Sequence, residues 1–160
     1  MNHITIRQAH QNDVYEITDL FFETIQNINI RDYSKEEVDD WSSWSENIDR
    51  WLEVIEIQFF IVAIINRKIV GFASLTTEGY LDFMFVDKNT QRQGIASQLL
   101  SEIENKANTQ NNKSIYSDVS ITAKGFFEKK GFIVEKQQLK TSKKKKLINL
   151  RMTKAKTNGD

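Results

Sequence analysis

Gln91-Arg92-Gln93-Gly94-Ile95-Ala96 stands at a change of pattern. Before it, residues 80–86 are short, apolar and aromatic, as a strand is; after it, Ile95, Leu99, Leu100 and Ile103 recur at helical spacing. At such a junction the first N–H groups of the helix have no carbonyl to meet, and the positive end of the helix dipole lies behind them. A glycine there lets the backbone come close to an anion. The stretch therefore offers a cradle for a pyrophosphate. It lacks the lysine and Ser/Thr of a nucleoside-triphosphate loop and the three glycines of a dinucleotide fingerprint. Taken alone, one glycine between strand and helix reads first as an ordinary turn.

Working outward, residues 3–7 alternate as a short strand, and Asn12 or Asp13 offers an N-cap to the helical run Val14, Ile17, Leu20, Phe21 and Ile25. Ser34-Lys35-Glu36-Glu37 has the form of a capping box, opening an acidic helical stretch that continues in pieces through Trp41, Trp44, Trp51 and Val54. Residues 58–65 and 69–75, joined by polar Asn66-Arg67-Lys68, predict an antiparallel hairpin. Beyond the central helix, residues 114–120 read as a strand, 122–130 as a short helix stopped at Gly131, and 132–139 with 147–152 as a closing hairpin. A single domain over residues 1–153 is expected, followed by a frayed tail at 154–160. This order predicts an α/β (α+β) fold: a mixed, mostly antiparallel sheet of about seven strands flanked by about four helices.

Composition narrows the classes. One hundred and sixty residues, 39% hydrophobic, with ten Phe, three Trp and four Tyr, suffice for one core and fall outside disordered or fibrous compositions. No apolar stretch approaches ~20 residues and no basic-then-apolar leader is present, so a cytoplasmic protein without a membrane span is expected. With no Cys and only His3 and His10, disulfides, thiolate zinc sites and cysteine nucleophiles are excluded, His-based triads nearly so, and no metal is expected. Residues 1–80 hold 14 acids and 6 bases, residues 81–160 hold 8 and 16. The window 32–56 alone has nine acids against Lys35 and Arg50. It would suit a cationic partner, and the basic half an anion; solvated helix faces explain the same numbers. The lysine run at 143–146 has no interleaved aromatics, so nucleic acid is not an expected partner.

Gln91-x-x-Gly94-x-Ala96, preceded by Phe83-Met84-Phe85-Val86 and followed by Ser120-x-x-Ala123-x-x-Phe126-Phe127-Glu128-x-x-Gly131-Phe132, resembles the GNAT superfamily of acyl-CoA-dependent N-acyltransferases over residues 3–152. Arg31-Asp32-Tyr33-Ser34 with Trp41 looks like a bacterial branch of uncharacterised members. The resemblance implies an acetyl-CoA-dependent N-acetyltransferase that passes the acetyl group directly to an amine of a small molecule or peptide. A non-catalytic acyl-CoA sensor with the same fold is the alternative, and a homodimer is left open. It further implies that Met84, Phe85 and Val86 lie along the pantetheine and that Gln91, Arg92, Gln93, Gly94, Ile95, Ala96 and Ser97 hold the pyrophosphate. Ser120 takes a place where the family often contacts cofactor, and Lys124 or Lys129 would meet the adenosine phosphate. Tyr33 and Trp41 would belong to the acceptor wall; for Trp44 and Trp51 the core is the stronger reading.

One departure bears on mechanism. Many members carry a tyrosine that protonates the leaving thiolate where this chain has Phe127, which has no proton to give. Tyr116 on the preceding strand, or water, would replace it. Asp82, four residues before Val86, matches a strand position where several members place a carboxylate beside the acceptor amine. It is therefore the base candidate, since an amine protonated at neutral pH must lose a proton before it attacks a thioester; an Asp hydrogen-bonded at the sheet edge is the plain alternative. If the acidic window borders the acceptor mouth, cationic amines are the favoured acceptors.

Overall fold

Asn66 and Arg67 both take left-handed φ, 50° and 65°, as a two-residue turn matched to strand twist requires. They join β2 (Phe59–Ile65) to β3 (Lys68–Leu75) in the computed structural model, which describes residues 3–156. β1 (Thr5–Gln8) pairs with β2, and β4 (Leu81–Val86) with β3, giving an antiparallel sheet in the order β1-β2-β3-β4. The second sheet is β5 (Ser114–Ser120), β7 (Lys146–Ala155) and β6 (Ile133–Thr141), in the order β5-β7-β6 and again antiparallel. The seven strands are thus those expected, parted into two sheets.

Five helices are present among the described residues: α1 (Val14–Asn27), α2 (Lys35–Ser42), α3 (Ile48–Ile57), α4 (Ile95–Thr109) and α5 (Lys124–Lys129). The count exceeds four because the acidic stretch breaks at a 3-10 turn, Ser43–Glu46, after which the Asn47 side chain caps α3. The capping box of α2 forms in both directions: Glu37 N–H donates to Ser34 Oγ (3.1 Å) and Ser34 N–H to Glu37 Oε1 (2.9 Å). At the start of α1, Asp13 accepts the His10 N–H (2.7 Å) and the Arg7 guanidinium (2.8 Å). The Arg7 bond outweighs burial and holds the Asp13 carboxyl below its usual range. The tail expected from position 154 is not frayed at its first residues. Lys154 and Ala155 are strand, and Lys154 Nζ reaches Glu104 at 2.6 Å. Positions 157–160 of that tail lie outside the described residues.

β2 and β3 read as unbroken apolar runs because helices cover both faces. On one side Ile61, Ala63, Val70 and Ala73 meet the stripe Ile95, Leu99, Leu100 and Ile103 of α4. On the other, Phe60, Val62 and Phe72 meet Ile17, Phe21 and Trp51 of α1 and α3. Fully burying a side chain of this kind contributes roughly 1.5–3 kcal/mol, so these two layers fix where β4 and α4 sit. Gly71 permits the closeness, since a Cβ there would stand 2.9 Å from Ile95 Cγ2.

Candidate active site

The sheets touch and then diverge. At the contact, Tyr116 N–H donates to Gly79 O (3.1 Å), Tyr80 and Tyr116 form one parallel bridge, and Ser117 Oγ donates to Leu81 O (2.7 Å). A register shift at Ser74/Leu75 then turns β4 aside, and no ladder joins β4 to β5 beyond this point. Asp87 N–H bonds Val70 O on the β3 side. By strand alternation the peptide groups of Phe83 and Phe85 also face β3, leaving those of Met84 and Val86 toward the gap. Val86 O is taken there by Thr24 Oγ1 (3.1 Å) and Gln91 Nε2 (2.7 Å). The Gln91 side chain, which also reaches Asp87 O (3.2 Å), ties the loop back to the strand.

That loop enters α4 through Gly94 at φ 81°, the left-handed conformation glycine adopts without strain. Gln98 N–H bonds Gly94 O (3.1 Å), so the N–H groups of residues 95–97 precede the first helical bond and remain as donors. A Cβ at Gly94 would meet nothing within 4 Å. Donor groups, the dipole end and open space coincide, a geometry that fits a phosphate. The cradle and the gap line a single cavity of about 990 Å³.

The far end of the cavity is built from side chains. Asp82 accepts from Gln58 Nε2 at 2.8 Å, and burial pushes its carboxyl above the usual range. Beside it Tyr80 donates to Asp118 Oδ2 (3.1 Å). Asp118 is also bonded by Arg151 Nε (2.7 Å) and Gln138. Burial pushes the Asp118 carboxyl up, but these bonds outweigh it and hold it below the usual range. Burial, reinforced by the charges of Asp118 and Asp82, drives the Tyr80 phenol well above its ordinary value. Tyr33 and Trp41 meet edge-on (5.5 Å) in the wall formed by the segment after α1.

An acetyltransferase (GNAT) domain model matches residues 29–154. The chain belongs to the GNAT family of acetyltransferases. It is 36% identical over 138 residues to the uncharacterised N-acetyltransferase YafP of Escherichia coli K12, covering 86% of this chain and 87% of that protein. Among solved structures, a GCN5-related N-acetyltransferase (aminotransferase, class II) from Rhodopseudomonas palustris superposes with TM-score 0.94 at 23% identity over 98% of both chains. The PaiA N-acetyltransferase of Thermoplasma acidophilum, solved with coenzyme A, gives 0.82 at 20% identity, covering 96% of this chain and 99% of that one.

Of the eleven positions expected at the cofactor of this GNAT enzyme, only Gln93 is absent from the cavity wall. Lys129 lines it and Lys124 does not. The Ser120 hydroxyl accepts Ala123 N–H (3.1 Å), which caps the turn into α5. Asp82, Tyr33 and Trp41 are in the wall, but the Tyr33 hydroxyl is occupied: it donates to Ile148 O (2.6 Å) and accepts Ile121 N–H (3.0 Å). Tyr33 braces β7 and the β5–α5 turn, and only its ring is free to face a ligand. Tyr116 does not line the cavity. Its ring lies 5.2 Å from that of Tyr80, which takes the cavity-side place. Sequence reasoning passed over Tyr80, though it stands two residues before Asp82 at strand period. Asp118 and Gln58 carried no comparable signal. Trp51 is core, its indole N–H on Trp44 O (2.9 Å), and His3 and His10 are exposed.

The acidic window reaches the cavity through Tyr33, Trp41, Trp44 and Arg50 rather than through its acids. None of its nine carboxylates lines the cavity, whereas its Arg50 does. Asp40 faces the β6–β7 turn, accepting the N–H groups of Lys143, Lys144 and Lys145 at 2.8–3.1 Å. Although some burial raises it, those three bonds bring its carboxyl down to about 2. The preference for cationic acceptors rested on the acids of this window, and none of them is part of the cavity wall.

Proposed function

We propose that this acetyltransferase uses acetyl-CoA to N-acetylate a small-molecule or peptide amine directly, without a covalent enzyme intermediate. The observation that carries the reading is that the backbone cradle at residues 94–97 and the half-buried Asp82 open into one cavity. When bound, acetyl-CoA supplies an acetyl thioester. The N–H groups of residues 95–97, with Arg92 beside them, hold its pyrophosphate, and the gap-facing peptide groups of Met84 with the Val86 N–H pair with the pantetheine amides. Asp82 takes one proton from the acceptor ammonium; the freed nitrogen bonds the acetyl carbon, and as the carbon–sulfur bond breaks the nitrogen gives its second proton to water. Water protonates the departing thiolate, because Phe127 cannot, Tyr80 is committed to Asp118, and Tyr116 is off the cavity. A thiol pKa near ~8.5 makes this step tolerable at neutral pH without a dedicated acid.

Phe127 gives the second reading its support. It is 3% exposed, packed edge-on against Phe126 (5.3 Å) and Phe132 (5.1 Å) at the cavity wall, in the place of a proton donor. An acyl-CoA sensor needs no such donor. Free-thiol release from acetyl-CoA, measured across a broad panel of amines and peptides, separates the two. Amine-dependent release supports the transferase; tight acetyl-CoA binding with no release for any amine supports the sensor.

A further inference from the structure

Five cationic residues line the cavity, Arg31, Arg50, Arg92, Lys129 and Lys140, against two carboxylates, Asp82 and Asp118. Arg92 adjoins the phosphate cradle and Lys129 stands on α5 nearby, so both are assigned to the acyl donor. Arg50 and Lys140 belong to the other end, from α3 on one wall and β6 on the opposite one. Neither is well matched. The partner of Arg50 is Glu53 (3.1 Å), in a pair where both side chains are more than half exposed, so little holds it. Lys140 stands 3.8 Å from Asp118, beyond hydrogen-bond distance, and Asp118 already has Arg151, Gln138 and Tyr80. Asp82 lines the same cavity, and its bonded partner is the neutral Gln58 amide. Thus one half-buried carboxylate lacks a bonded cation, though the charge of Arg50 acts on it, while Arg50 and Lys140 lack a close, shielded anion. The rings of Trp41 and Trp44 lie in the same wall.

We infer that the acceptor is an amine bearing an anionic group in the same molecule, with an apolar body: its ammonium meets Asp82 and its acid meets Arg50 and Lys140. Amino acids with apolar or aromatic side chains are the simplest members of this class. The inference rests on the N-acetyltransferase reading, to which it adds an acceptor class. A polycation would bring positive charge against Arg50 and Lys140, whereas a zwitterion pairs with both signs.

The test is a matched set: phenylalanine, its aminophosphonate analogue, phenylalaninamide and phenethylamine, with spermidine as the polycation. Two readouts are taken, kcat/KM from thiol release and acceptor affinity by calorimetry on the chain filled with desulfo-CoA, which cannot transfer. The carboxylate or phosphonate member is expected to exceed the amide and phenethylamine by at least tenfold in both, the two acids telling which anion is preferred. Arg50→Gln and Lys140→Gln lie at exposed positions and should fold; each is expected to lower the acids at least threefold, and the double variant to bring them level with phenethylamine. If phenethylamine, the amide or spermidine equals or exceeds the acids, the acceptor class is wrong while the transferase stands. If no member releases thiol but another amine of the broad panel does, the acceptor class is wrong while the transferase stands; if acetyl-CoA binds and nothing in that panel releases thiol, the transferase reading itself fails.

Discussion

At one end of the cavity the ligand-facing groups are peptide N–H and C=O of β4 and the α4 entry; at the other they are side chains gathered from α3, β4, β5 and β6. The first end depends on a strand, a left-handed glycine and a helix that are contiguous in the chain. The second depends on bonds such as Tyr80 to Asp118 and Tyr33 to Ile148, separated by 38 and 115 residues. A backbone-built site tolerates most side-chain changes, because the peptide supplies the chemistry. A side-chain site can be retuned by one substitution, which suits an end that selects among acceptors.

The largest effect should come from the side-chain end. Asp82→Asn is expected to lower turnover by ~10²-fold, the usual size of a general-base contribution, with acetyl-CoA affinity by calorimetry nearly unchanged. Burial raises the Asp82 pKa in the folded chain. Wild-type turnover should therefore fall as pH drops through a range above that of ordinary carboxylates, where the base becomes protonated. The same shift has a stability sign: the folded state holds this proton more tightly than the unfolded, so stability is lost as pH rises from the unfolded toward the folded pKa. Asp82→Asn should accordingly raise Tm at neutral pH. Full turnover by the variant across the pH range would remove Asp82 from the chemistry.

The backbone end should break at one residue. Gly94→Glu places a side chain at φ 81° and a negative charge at the cradle, and acetyl-CoA affinity should fall at least tenfold, ~1.4 kcal/mol. Unchanged affinity in a folded variant would displace the cradle from this loop.

The same contrast explains what was legible in the sequence. The strand before Gly94 and the helix after it could be placed because periodicity and helix entry are local rules, and the hairpin turn at Asn66-Arg67 for the same reason; Met84 and Val86 were named through the family resemblance. Asp82 could be named, but not its Gln58 partner, 24 residues away. Tyr116 was expected in a place that Tyr80 takes, because the choice depends on how the two sheets meet. Charge counted along the chain did not tell which window side chains face the cavity: Asp40 is bonded to the β6–β7 turn, while Arg50 lines the wall. Long-range pairing decides such matters, and no period in the sequence records it.

A smaller effect is expected behind the wall. Arg151→Met leaves Asp118 without its closest cation. A bond to a charged group is worth ~1.5–3 kcal/mol when shielded, and the side chains here are 13% and 25% exposed, so a loss of about 1 kcal/mol in unfolding free energy is expected. The Asp118 pKa is lowered in the folded chain, so its contribution is present above the unfolded carboxylate pKa and lost as pH falls through the folded one. The variant and the parent should therefore converge in Tm at acid pH. An equal difference at all pH values would mean that Arg151 acts through packing on Tyr80 and Tyr116, over whose rings it lies at 6.0 and 5.2 Å.

The smallest effect belongs to Tyr116, and its smallness is informative. Its ring is held between Tyr80 and Arg151, and its side chain is not part of the cavity wall. Tyr116→Phe keeps the ring, and with it the stacking on Tyr80 and the contact with the Arg151 guanidinium. Only the hydroxyl is lost. If water protonates the thiolate, turnover should stay within about twofold of the parent, since a general acid contributes ~10²-fold or more where one operates. The pH–rate profile should keep its shape on the alkaline side, where a working tyrosine acid would have imposed a falling limb. A loss of tenfold or more with acetyl-CoA affinity intact would make Tyr116 the proton donor. The side-chain end would then have to open further toward β5 during turnover than the resting geometry shows, and the division between a backbone-built donor end and a side-chain-built acceptor end would have to be redrawn to include β5.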